Sequence, residues 1–132
     1  MLNIVMVDDA LTSVENLTMM LEEYCEDTKV VGTAFSVTQA IREITIKKPD
    51  IVFPDIEMPH GNAFDILESL PEKKFHVIFV TAYYHYCIKA IKHNSIDYLL
   101  TPVDKDELID AFEKGRRRVT RAQHTAQNNK EN

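Results

Sequence analysis

The chain has 132 residues, 45% hydrophobic and 27% charged, with only 3 glycines and 5 prolines; this suits one globular domain and excludes collagen-like, low-complexity and disordered classes. A formal net charge of −6 excludes a general nucleic-acid surface, because phosphate binding needs a basic face. No apolar run approaches membrane-spanning length, the start MLNIVMVDD lacks a basic leader, and Cys25 and Cys87 form neither a CxxC nor a zinc-like spacing with histidine. The expectation is a soluble cytoplasmic protein with reduced thiols and no membrane contact.

Apolar runs alternate with helical periodicity along the chain. Leu2 to Val7 predicts a strand buried on both faces and stopped at Asp8-Asp9. Leu11, Val14, Leu17 and Leu21 then recur at helical spacing to about Cys25. Lys29 to Ala34 predicts a second strand, and Val37, Ala40, Ile41 and Ile44 the face of a second helix ended by Pro49. Ile51 to Phe53 runs as a third strand into Asp55, followed by a loop with Pro59 and Gly61. Phe64, Leu67 and Leu70 give a third helix stopped by Pro71. Phe75 to Val80 is a fourth strand, Tyr86 to His93 a short helix, and Asp97 to Leu100 a fifth strand. Leu108, Ile109 and Phe112 line a last helix running to about Thr120. Arg116, Arg117, Arg118 and Arg121 suit its carboxyl end, where the helix dipole favours positive charge. Residues 121–132 read as a polar tail or the start of a linker, leaving residues 1–120 as the folded domain.

Five strands alternating with five helices predict an α/β fold with a doubly wound parallel sheet in the order 2-1-3-4-5, because each parallel crossover carries a helix back over the sheet. The strand ends then gather on one edge. They carry Asp8 and Asp9, Asp55, Thr81 and Thr101. A single aspartate after a strand is ordinarily a helix cap. Three carboxylates brought together raise one another's pKa, and a hard divalent cation resolves the repulsion; Mg²⁺ suits a few carboxylate oxygens, water and a phosphate.

The stretches VMVDDA, DIVFPDIEMPHGNAFDIL, VIFVTAYY and DYLLTPVD, in this order and spacing, resemble the receiver domain of two-component response regulators, most closely the LytTR class. The resemblance spans about residues 1–120. It implies a flavodoxin-like receiver fold in which Asp55 accepts a phosphoryl group from a sensor histidine kinase or a small phosphodonor. It also implies that Asp8, Asp9, Asp55 and the backbone carbonyl of Glu57 hold Mg²⁺. Thr81 matches the hydroxyl that bonds the phosphoryl oxygen, and Tyr98 the aromatic whose rotamer follows it; their plainer readings are a capping hydroxyl and a core aromatic. The implied activity is signalling, with at most self-phosphorylation and self-dephosphorylation. The implied partners are the kinase, a second copy through the face of helix four, strand five and helix five, and DNA only through an output domain.

Four positions depart from the pattern or qualify it. Thr101 stands where the family has the lysine of its Lys-Pro pair, which predicts phosphorylation with weaker stabilisation or coupling. Lys105 is the nearest substitute by sequence, although a solvated lysine at a helix start is its plainer reading. Pro54 removes a donor from a central strand, so a local bulge or an unpaired strand end is expected there. Ala63 replaces a usual glycine, which predicts a backbone without positive φ. The resemblance further implies a cis Thr101-Pro102 bond.

Other readings compete. A pseudo-receiver acting by constitutive contacts is the main alternative, motivated by Thr101 and Pro54. A haloacid-dehalogenase-type phosphohydrolase would carry its nucleophile as DxDx[TV] after the first strand, where this chain has DDA. A flavin module would need a hydroxyl- and glycine-rich loop there.

Overall fold

A computed structural model describes residues 1–70 and 74–131, so Pro71, the expected stop of the third helix, lies outside the described residues; side chains are described as far as residue 123. The elements are β1 (Leu2–Val7), α1 (Leu11–Tyr24), β2 (Thr28–Ala34), α2 (Val37–Lys47), β3 (Ile51–Pro54), β4 (Glu57–Met58), β5 (Gly61–Asn62), α3 (Ala63–Ser69), β6 (His76–Thr81), α4 (Cys87–Lys92), β7 (Asp97–Leu100) and α5 (Lys105–Glu131). The main sheet is parallel, in the order β2-β1-β3-β6-β7. Counting only its own strands, that is the expected 2-1-3-4-5.

The apolar runs form central strands because both faces of the sheet are covered. Alternation along β1 divides its side chains between two layers. Ile4 and Met6 pack with Leu17, Leu21, Leu108 and Phe112 from α1 and α5. Val5 and Val7 pack with Ala40, Ile44, Phe64 and Ala90 from α2, α3 and α4. Val14, Leu17 and Leu21 make the inner stripe of α1, whereas Leu11 is 57% exposed at its first turn, outside the core assigned by periodicity. On α5, Gly115 allows close approach to the sheet: a Cβ there would lie 2.8 Å from Ile51 Cδ1.

Three local features differ from or refine the expectations. The segment after β3 contains a short antiparallel hairpin, with Glu57 opposite Asn62 and Met58 opposite Gly61, where the sequence suggested only a loop. Two-residue strands are too short to show a period. His60 turns this hairpin at φ 65°. An Asn62/Asp65 capping box starts α3, with Phe64 and Asp65 amides donating to Asn62 Oδ1 at 2.9 and 3.1 Å and the Asn62 amide to Asp65 Oδ2 at 2.8 Å. Ala63 is thereby the first helical residue, and it is absent from the positive-φ positions, as its side chain requires. Finally, α5 runs past Thr120 to Glu131, a length that the weak apolar periodicity beyond Val119 did not indicate.

Candidate functional site

The carboxyl edge of the sheet builds the site. β1 delivers Asp8 and Asp9, β3 delivers Asp55, β6 ends on Thr81, and the turn after β7 carries Thr101. A cleft of about 460 Å³ is lined by these residues together with Glu57 and Tyr83. Carboxylate oxygens of Asp8, Asp9 and Asp55 all lie within 4.8 Å of one another. Asp9 is not a helix cap: the N-cap of α1 is Ala10, which has no side-chain cap bond, and the Ala10 amide instead donates to Asp8 Oδ1 at 2.9 Å. That bond holds Asp8 toward the cleft.

Pro54 sits immediately before the acceptor candidate. The Asp55 amide donates to the Val7 carbonyl at 2.7 Å. Amides along a parallel strand alternate between neighbours, so the donor missing at Pro54 is one that would face β6. The β3–β6 ladder accordingly stops at Val52 opposite Val77 and resumes only as an isolated Asp55–Val80 bridge. Of the bulge or unpaired strand end expected from the sequence, the structure shows the latter, a loss of pairing to β6 over the last residues of β3. The Thr101-Pro102 bond is cis, also as expected.

Burial and like charge act together on the carboxylates of this edge. Burial pushes the Asp55 carboxyl up to about 7, with the charges of Asp8 and then Asp9 adding to the effect and the Glu57 and Ile56 amides opposing it. Asp8 is raised as well, chiefly by burial. The Lys105 ammonium lies 4.8 Å from the centroid of the Tyr24 ring, so it is engaged by an aromatic face of α1. Among the described residues the ion pairs of the basic residues on α5 lie elsewhere: Lys114 with Asp97 at 3.0 Å and Arg116 with Asp27 at 3.5 Å and Glu113 at 3.9 Å. A cluster of three carboxylates, one of them driven toward neutrality, fits a hard divalent cation better than it fits solvent alone.

The threonine and tyrosine meet through a third residue. Thr81 is 1% exposed, and its hydroxyl accepts from the Tyr83 amide at 3.3 Å. The Tyr98 hydroxyl donates to the Tyr83 backbone carbonyl. Tyr83 therefore joins the two expected residues, a role the sequence reading missed. The Glu57 side chain, assigned no role by the sequence reading, accepts from the Tyr86 hydroxyl, which pushes that phenol up to about 12. The aromatic run YYHY after Thr81-Ala82 was the only signal for either partner.

The sheet order and the acidic cluster at its carboxyl edge define a flavodoxin-like receiver fold. Residues 4–113 match the response regulator receiver domain, and the chain belongs to that family. It is 33% identical over 116 residues to the sensory transduction protein LytT of Bacillus anthracis, covering 86% of this chain and 47% of that protein. It is 34% identical over 109 residues to the transcriptional regulatory protein BtsR of Escherichia coli, covering 82% of this chain and 45% of that protein. The chain thus spans about half the length of the curated relatives it matches. In fold it is similar to the REC domain of AraT, a response regulator from Geobacillus stearothermophilus, with TM-score 0.81 at 24% identity, covering 92% of this chain and 98% of that one. Among the described residues no helix is long and apolar enough to cross a membrane.

Proposed function

We propose that this chain is a phosphorylation-dependent receiver in which Asp55 accepts the phosphoryl group. The observation that carries the reading is the convergence of Asp8, Asp9 and Asp55 within 4.8 Å beside a buried Thr81 hydroxyl. An Asp55 carboxylate oxygen attacks phosphorus of a kinase phosphohistidine or small phosphodonor, the bond to the donor breaks, and water later hydrolyses the acyl phosphate. Asp8, Asp9, Asp55 and the Glu57 carbonyl are the groups that would hold Mg²⁺. When bound, that ion offsets charge on the transferring oxygens. Thr81 receives the phosphoryl oxygen, and Tyr98, tied to the next loop through Tyr83, passes the change to the α4–β7–α5 face.

That face supports a homodimer reading. Ile88 and Ile91 of α4 and Leu100 of β7 are exposed, Ile88 at 72% and Ile91 at 70%. A sensor histidine kinase in the cytoplasm is the donor implied, residues 1–120 the receiver, and 121–132 the start of a linker toward a DNA-binding output segment.

Intact mass after incubation with acetyl phosphate tests the proposal, with and without Mg²⁺ and with Asp55→Asn as control. One phosphoryl gain requiring both Mg²⁺ and Asp55 is expected. No gain in folded protein that still binds Mg²⁺ selects the pseudo-receiver, a reading favoured by the uncharged Thr101 at the rim.

A further inference from the structure

A second cavity, of about 560 Å³, opens beside the acidic cleft between α1 and the turn joining β7 to α5. The two cavities share Asp8, Ser13, Asp55, Val80 and Thr101 as lining residues, so they meet at the carboxylates. Away from that junction the walls are Met6, Leu17, Met20, Phe53 and Val103, with Tyr24 toward the outside. Its volume lies in the range of small-ligand pockets, which combine apolar walls with a few convergent polar groups.

The charges of the lining are unbalanced. Asp8, Glu23, Asp55 and Asp104 face Lys105 among its described residues. Lys105 is itself held over the Tyr24 ring. Thr101, exposed at the rim where the two cavities meet, offers a hydroxyl and no charge. Apolar walls beside a surplus of carboxylates have the polarity of a receptor for a cation carried on an apolar body.

We propose that this cavity binds a small organic primary amine in its ammonium form, with the apolar body between Leu17, Met20 and Val103 and the ammonium at Asp8 and Asp55 beside Thr101. The ammonium supplies from outside the fixed positive charge that the chain lacks at this edge, so the amine acts as a regulator of the acidic site. The ligand uses carboxylates that the phosphotransfer reading also uses, but its binding requires neither metal nor phosphodonor, and the two readings can fail separately.

The test is a titration of metal-free, ¹⁵N-labelled protein with phenethylammonium, followed by amide chemical shifts, with 2-phenylethanol as the uncharged match. The expected result is saturable shifts at Leu17, Met20, Val103 and Asp55, with the alcohol binding about tenfold more weakly, the scale of one lost charge-assisted contact. Thr101→Lys, which places an ammonium on the chain, and Met20→Trp, which fills the apolar walls, should each abolish the shifts. Equal binding of amine and alcohol, undiminished amine binding by folded Thr101→Lys, or no saturable shift overturns the proposal. Should Met20→Trp fail to fold, Thr101→Lys decides.

Discussion

The Tyr98 hydroxyl donates to the backbone carbonyl of Tyr83, the residue whose amide is bonded to the Thr81 hydroxyl. Strand β7 and the loop after β6 are thus fastened to each other at the end of the acidic cleft. Tyr98→Phe keeps the ring packed near Phe79, at 6.3 Å between centroids, and removes only the donor. A net loss of about 1 kcal/mol in loop closure is expected, seen as roughly fivefold faster amide exchange through residues 82–86. Unchanged exchange there would show that the bond does not hold the loop.

Metal-free stability should depend on Asp55 in a defined direction. The unfolded carboxyl loses its proton near 3.8, whereas the folded one keeps it to about 7, because burial and the neighbouring Asp8 and Asp9 penalise the charge. Between those values the folded state binds more protons, so this contribution is fully present below the lower value and is lost as pH rises through the upper one. Asp55→Asn should remove the slope and, in mildly alkaline chelator-treated solution, add about 1–2 kcal/mol of stability after allowance for partial solvent screening. Urea unfolding on both sides of the window measures it. Mg²⁺ should raise the midpoint of the parent protein and leave that of the variant nearly unmoved.

Thr101→Lys tests the weak-coupling idea. A lysine there brings an ammonium to an edge that now has three clustered carboxylates and two threonine hydroxyls, so Asp55 should titrate lower than in the parent. With a beryllofluoride phosphoryl mimic, the variant should shift the Tyr83 and Tyr98 resonances more completely than the parent does. A parent protein that already switches as fully would exclude a coupling defect at this position.

His76, at the start of β6 and remote from the site, gives an acid-side prediction of opposite sign. Its pKa is lowered by burial first and by Arg118 next, with Asp50 opposing. Protonation is therefore costlier in the folded state, and the stability present above the ordinary value of 6.5 should fall as pH drops through the interval below it. His76→Gln should flatten that fall relative to the parent in urea midpoints taken at neutral pH and in mild acid.

Phe112 anchors α5 and is 1% exposed among Leu108, Ile4 and Phe53 in the layer shared with α1. Phe112→Ala should cost about 3–5 kcal/mol, the usual loss for an aromatic deleted from a packed core. A much smaller change in unfolding free energy would mean that α1 and α5 collapse into the gap.

Much of this protein was legible in its sequence because the deciding signals are local. Runs such as Leu2 to Val7 and Phe75 to Val80 can be central strands only when covered on both faces, and the intervening helical stripes supply the cover. Their order leaves the aspartates after β1 and β3 on one edge, so Asp8, Asp9 and Asp55 could be brought together before any coordinates. Pro54 announced a ladder gap by its missing amide. The tertiary structure alone decided where the side chains between elements meet. Lys105 turns to Tyr24, Tyr86 to Glu57 and Tyr98 to Tyr83. The ligand-sized cavity beside Thr101 likewise exists only once α1 and the β7–α5 turn are placed. Such meetings depend on loop paths and on the volume left between packed elements, and neither has a period that the chain can display in one dimension.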